Sequence, residues 1–160
     1  MQNTNRAAAM WQLINTMLEN IALKSKDVFL LSIRLYWGWQ FFLTGKGKLF
    51  HLDDTASFFA ELNLPLPKFQ ALLAGGVECF GGLLLLVGLA SRMTALPLIF
   101  TMLVAYATAH REELSGLFTD SDTFVTAAPF LFLLASVTVF VFGPGRISLD
   151  HLLSGKKTKY

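Results

Sequence analysis

Two residues of this sequence lie where their charge is costly. Arg34 and Glu78 each interrupt a long apolar run. An isolated arginine or acidic side chain at the centre of a membrane helix costs about 2.5–3.5 kcal/mol or more, so both are expected to turn inward and find partners. A carboxylate held there can pass a proton, and a cationic side chain can polarise a carbonyl oxygen. A pair that only fixes helix register, with no chemistry, is the competing reading. A second cluster follows the first run: Lys46 and Lys48 in Thr44-Gly45-Lys46-Gly47-Lys48, with Tyr106 and His110 closing a later run on the same side. Lysines there complement a helix carboxyl end, or form a cationic mouth for an anion or a quinone headgroup. The glycine–lysine string lacks the GxxxxGK[ST] spacing of a phosphate loop. His51, His110, Glu112 and Glu113 lack tight ligand spacing, so no metal site is assigned. The single cysteine, Cys79, lies in an apolar run and excludes an intramolecular disulfide framework. It reads as a small buried residue, a redox role requiring a thiol from another chain.

The elements that must position these residues follow from composition. Of the 160 residues, 54% are hydrophobic and only 15% charged, and the mean hydropathy is +0.53. Soluble domains carry about 25% charged residues, so too little polar surface exists here to cover a water-facing globule. A net charge of +2 with no basic patch interleaved with aromatics argues against nucleic-acid binding. Four windows meet the length of a membrane span: 28–44, 69–90, 93–109 and 124–142. Their continuity favours helices over barrel strands. The expected fold is therefore an all-α bundle of four transmembrane helices. Residues 1–27 form an amino-terminal extension, 28–152 the membrane domain and 153–160 a basic tail. In the extension, Trp11, Ile14, Leu18 and Ile21 share one helical face, which predicts an amphipathic helix on the membrane surface or packed on the bundle. Gln12, Asn15 and Thr16 interrupt it too early for a cleavable signal peptide. A short helix through Leu62, capped by Asp53 or Asp54 and stopped by Pro65 and Pro67, is expected in the first external loop. Its Phe58 and Phe59 would press onto the bundle mouth as a lid or plug.

Basic residues set the orientation. Arg6, Lys24, Lys26, Arg92, Arg146, Lys156, Lys157 and Lys159 flank one side, and Lys46, Lys48, Lys68 and Arg111 the other. The excess predicts both termini in the cytoplasm of a bacterium. At 1.5 Å per residue, Arg34 lies roughly 9 Å into the first span and Glu78 roughly 14 Å into the second from the opposite side. Across a core of about 30 Å the axial offset is then about 7 Å. An Arg34–Glu78 ion pair between adjacent antiparallel helices is expected, with partial hydration as the alternative. Glu78 shares a face with Gly75 and Gly82, and Arg34 with Gly38, so these faces are expected to pack closely.

The ordered set Arg34-Leu35, Gly45-Lys46-Gly47-Lys48-Leu49, Leu64-Pro65-Leu66-Pro67, ECFGGLLLLVGLASRMTALPL from Glu78 and GPGRISLD from Gly143 resembles the DoxX family of small four-helix membrane proteins, over about residues 28–152. The resemblance implies membership of a membrane oxidoreductase assembly, such as thiosulfate:quinone oxidoreductase or a thiol and oxidative-stress defence system; other members accompany metal-handling peptide systems. It carries no catalytic motif; Arg34, Lys46, Lys48, Glu78 and Arg92, the last on the cytoplasmic side, match its recurrent polar positions. The expected function is an accessory redox subunit with a protein partner in the inner membrane, quinone-interacting at Arg34–Glu78. No haem, iron–sulfur or nucleotide pattern is present. A non-catalytic scaffold is the alternative. A small-substrate or proton carrier ranks third, because four spans are few for alternating access and a homodimer would be needed.

Overall fold

The computed structural model describes residues 2–154, with side chains from Met10 onward. The Arg6 side chain and the basic tail with Lys156, Lys157 and Lys159 lie outside the described residues. Among those described, every regular element is helical. The first, α1, runs Gln2–Phe50. No proline occurs in this stretch and no glycine before Gly38, so one backbone ladder continues through residues 23–28 despite the cap-type residues Ser25 and Asp27. This corrects the expectation of a separate surface helix: Trp11, Ile14, Leu18 and Ile21 lie on the same continuous helix and are exposed. It also corrects the end of the first apolar segment. Lys46 and Lys48 belong to α1 itself, beyond the Thr44 boundary drawn from hydropathy.

A turn at His51 leads into α2 (Leu52–Glu61). Asp53 and Asp54 occupy its first turn, where they favour the positive helix end without capping it by a side-chain hydrogen bond. Pro67 then opens α3 (Pro67–Val87), which closes at left-handed Gly88. Next comes α4 (Ser91–Thr108), with Pro97 in its interior. After the short α5 (Arg111–Ser115) and a 3₁₀ turn, Asp120 caps α6 (Ser121–Thr126) by accepting from the Thr123 amide. The apolar stretch 124–142 is not one helix: the chain is extended at Ala127, and α7 restarts as Ala128–Phe142. Pro129 sits in the first turn of α7, where its missing N–H is no loss; inside a continuous helix it would have removed a bond and clashed with the preceding turn. The loop 143–148 and α8 (Leu149–Ser154) complete the described chain.

Two of these helices, α3 and α4, are long and apolar enough to cross a membrane, and α7 is a shorter apolar helix. Phe80, Met93 and Phe100 turn outward from α3 and α4, leaving an apolar surface. Inside, Phe41, Leu85, Leu98, Met102 and Val139 form the core, contributed by α1, α3, α4 and α7. The closest approach is between α1 and α3. A Cβ on Gly82 would lie 2.5 Å from the Phe42 amide nitrogen and 2.6 Å from the Gly38 carbonyl oxygen. Gly45 likewise meets the backbone of Cys79. The glycine faces expected to pack together do so.

Candidate functional site

The glycine contacts fix which charges meet. Gly38 faces Leu86, Gly82 faces Phe42, Gly45 faces Cys79 and Gly75 faces Leu49, a single antiparallel register. It sets Arg34 level with about residue 90 and Glu78 level with about residue 46. The two charges are therefore about twelve residues, or ~18 Å, apart along the helix axes. The expected Arg34–Glu78 ion pair is not formed.

Arg34 instead ties chain segments together at one end of the bundle. Its side chain is fully buried and donates four hydrogen bonds: Nε to the Leu85 carbonyl at 2.9 Å, Nη2 to Leu86 at 3.2 Å, and Nη1 to Pro144 at 2.5 Å and Ile147 at 2.9 Å. The first two acceptors belong to the last turn of α3, where carbonyls run short of intrahelical partners; Leu85 is shared with the Gly88 amide at 3.1 Å. The other two hold the 143–148 loop. Gly88 makes room, since a Cβ there would lie 2.6 Å from Arg34 Cζ. Nearby, the Asp150 carboxylate accepts from the Ala90 and Ser91 amides at 2.6 and 2.9 Å, capping α4 from α8. Arg92 reaches the Val141 carbonyl at 3.4 Å. The GPGRISLD string thus supplies partners for Arg34 and for the start of α4.

Glu78 pairs with Lys48 at the other end. Lys48 Nζ donates to Glu78 Oε1; the Lys48 side chain is 32% exposed and that of Glu78 only 1%. Glu78 Oε2 is buried without a hydrogen-bond partner. Both residues line a cavity of about 750 Å³ enclosed by α1, α2, α3, α4 and the start of α7. Phe58 and Phe59 from α2 and Phe132 from α7 contribute aromatic wall, and His110 and Asp54 stand among its lining. Phe132 makes edge contacts with Trp37 and Phe41, at 5.0 and 4.7 Å between ring centres.

The expected mouth residues divide. Lys48 and His110 line the cavity, whereas Lys46 lies over the Phe50 ring at 5.6 Å and Tyr106 is buried, its hydroxyl donating to the Phe124 carbonyl at 2.9 Å. His110 Nδ1 is 3.1 Å from Glu113 Oε1. The Glu113 carboxyl is held below its ordinary range by its own backbone N–H and then by His110. His51 Nδ1 contacts the Gly47 carbonyl one turn back at 3.1 Å. Cys79 is buried and free. Hydropathy does not reveal the Lys48–Glu78 pairing, because Gly45 and Gly47 read as the end of the first helix; the absence of proline before Phe50 is the signal for its continuation.

The DoxX family model matches residues 29–111, which include both Lys48 and Glu78. The chain belongs to the DoxX family. Among its relatives is "Putative oxidoreductase CatD" of Bacillus subtilis (strain 168), 30% identical over 84% of this chain and 94% of the relative. Another is "Uncharacterized membrane protein Rv3486" of Mycobacterium tuberculosis, 32% identical over 80% of this chain and 83% of that protein. No solved structure matches significantly. As a DoxX membrane protein the chain sits in a lipid bilayer, which accounts for the outward apolar side chains of α3 and α4.

Proposed function

We propose that this DoxX protein is an accessory subunit of a membrane redox assembly and that its α1–α3–α4 cavity receives a quinone-type ring beside Lys48 and Glu78. The four apolar segments, with α6 and α7 sharing the last, then span a bacterial cytoplasmic membrane with both termini on the cytoplasmic side. The observation that carries the reading is the unpartnered Glu78 Oε2 beside a mostly apolar cavity. Its volume falls within the usual range for small-molecule sites, about 300–1,000 Å³. A buried polar atom without a partner is costly, and a ligand hydroxyl donating to Oε2 would relieve it. Lys48 is placed to polarise a carbonyl oxygen while the aromatic walls take the ring.

A bound quinone supplies the electron-carrying chemistry, for which this chain has no haem or cluster motif of its own. The chain's residues bind and orient: Lys48 supplies positive charge, Glu78 Oε2 holds or accepts a proton, and Phe58 and Phe59 keep water from the ring. The naming of CatD as an oxidoreductase supports the redox half of the reading.

Trp37 offers a direct test, since it touches the cavity wall through Phe132 and quinones quench tryptophan fluorescence. Titration of detergent-purified protein with a short-chain quinone is expected to quench saturably. Glu78→Gln is expected to weaken binding at least ten-fold, the scale of one hydrogen bond to a charged group. Unsaturable quenching identical in both proteins, with no quinone extractable from the purified wild type, would reject the proposal.

A further inference from the structure

We propose that a second cavity, at the Arg34 end of the bundle, holds the phosphodiester headgroup of an anionic phospholipid. The cavity measures about 450 Å³ and is lined by Lys26 of α1, Arg92 of α4, Arg146 of the 143–148 loop and His151 of α8. Its two acids already serve the fold. Asp27 Oδ1 accepts from the Arg146 amide at 2.9 Å, with its other oxygen 3.7 Å from Arg146 Nε, and Asp150 caps α4. Three fixed cations thus face two committed carboxylates. Ser91 also lines the cavity; it is fully buried, and its Oγ has no hydrogen-bond partner. A phosphate oxygen would supply the missing acceptor, and arginine guanidinium geometry matches phosphate.

Location decides between a lipid and a free anion. The cavity lies where α4 begins and α7 ends, so both apolar helices lead away from it into hydrocarbon. Its apolar lining residues Leu23, Met93 and Phe142 are exposed by 64%, 76% and 53%. Free phosphate would leave that rim wet, whereas acyl chains would cover it. An anionic headgroup is favoured over a choline-bearing one, because the choline would enter a net positive site.

The site is tested on full-length protein in phosphatidylcholine nanodiscs with and without phosphatidylglycerol, by native mass spectrometry after release. One phosphatidylglycerol is expected to stay on each chain in preference to phosphatidylcholine. At about five-fold per basic residue, Lys26→Gln with Arg92→Gln should reduce that retention roughly 25-fold. The wild-type melting temperature should also rise with phosphatidylglycerol and not with phosphatidylcholine, a readout independent of whether the double variant folds. Equal retention of the two lipids, no thermal shift, or full displacement by millimolar inorganic phosphate would each overturn the assignment.

Discussion

Replacing Arg34 separates its role as a clamp from a role as the partner of Glu78. Arg34→Met keeps an apolar stem and removes all four donors. The Leu85 bond is fully buried, but the Leu85 carbonyl keeps its bond from the Gly88 amide, so the loss costs about 0.5–1.5 kcal/mol net. The bonds to Leu86, Pro144 and Ile147 are part-buried; water replaces some of them, and each contributes about 0.5–1.5 kcal/mol net. The expected loss is about 2–6 kcal/mol, against a total stability of about 5–15 kcal/mol for ordinary domains. Arg34→Lys should recover less than half of it, because an ammonium cannot reproduce the guanidinium fork across two chain segments. Reversible unfolding in mixed micelles reads these values. Combined with Glu78→Gln, the Arg34 effect should add within about 0.5 kcal/mol, as expected for groups ~18 Å apart. A coupling above about 1 kcal/mol, or an Arg34→Met protein as stable as wild type, would refute the clamp and restore the direct pair.

Two further perturbations probe the other end and the helix seam. Lys48→Met should destabilise by about 3 kcal/mol by stranding a buried carboxylate, and adding Glu78→Gln should return most of that loss in the same unfolding assay. Equal destabilisation in the single and double variants would mean that the ion pair is not what Lys48 provides. Gly82→Ala should cost about 1–3 kcal/mol by forcing α1 from α3, whereas Gly76→Ala, with nothing within 4 Å of the added methyl, should be neutral or slightly stabilising. Equal melting temperatures for the two alanine variants would argue against the close seam.

The sequence discloses helices better than it discloses their alignment. Hydropathy brackets α3 and α4 to within about three residues because each has a stop at both ends: Pro67 and Gly88 for the first, the 88–90 turn and the polar 110–113 stretch for the second. It misplaces the end of α1 because Gly45 and Gly47 read as a break, although Gly45 is where the helix packs onto Cys79. It merges α6 and α7 because Ala127 and Pro129 are apolar while interrupting the helix. The charge pairing was lost for the same reason. Depth counted from window ends assumes that the windows start at matching levels, and the Arg34–Glu78 offset became about 7 Å instead of ~18 Å. The glycine faces were readable; the register at which they meet depends on side-chain shape in three dimensions.

That register assigns different work to the polar residues shared with the DoxX family. At one end, Arg34 donates to four carbonyls, the Asp150 amide donates to Gly88 and the Asp150 carboxylate caps α4, so little bonding capacity remains for a ligand among these three. At the other, Glu78 is held by one lysine, keeps one oxygen without a partner and borders a cavity wide enough for a ring. A residue whose bonds are complete is suited to holding a fold, and one whose bonds are incomplete beside open space is suited to binding. Sequence position made Arg34 and Glu78 equivalent, as charges within apolar runs. Hydrogen-bond satisfaction distinguishes them, and it favours Lys48 and Glu78 over Arg34 for the proposed ligand site.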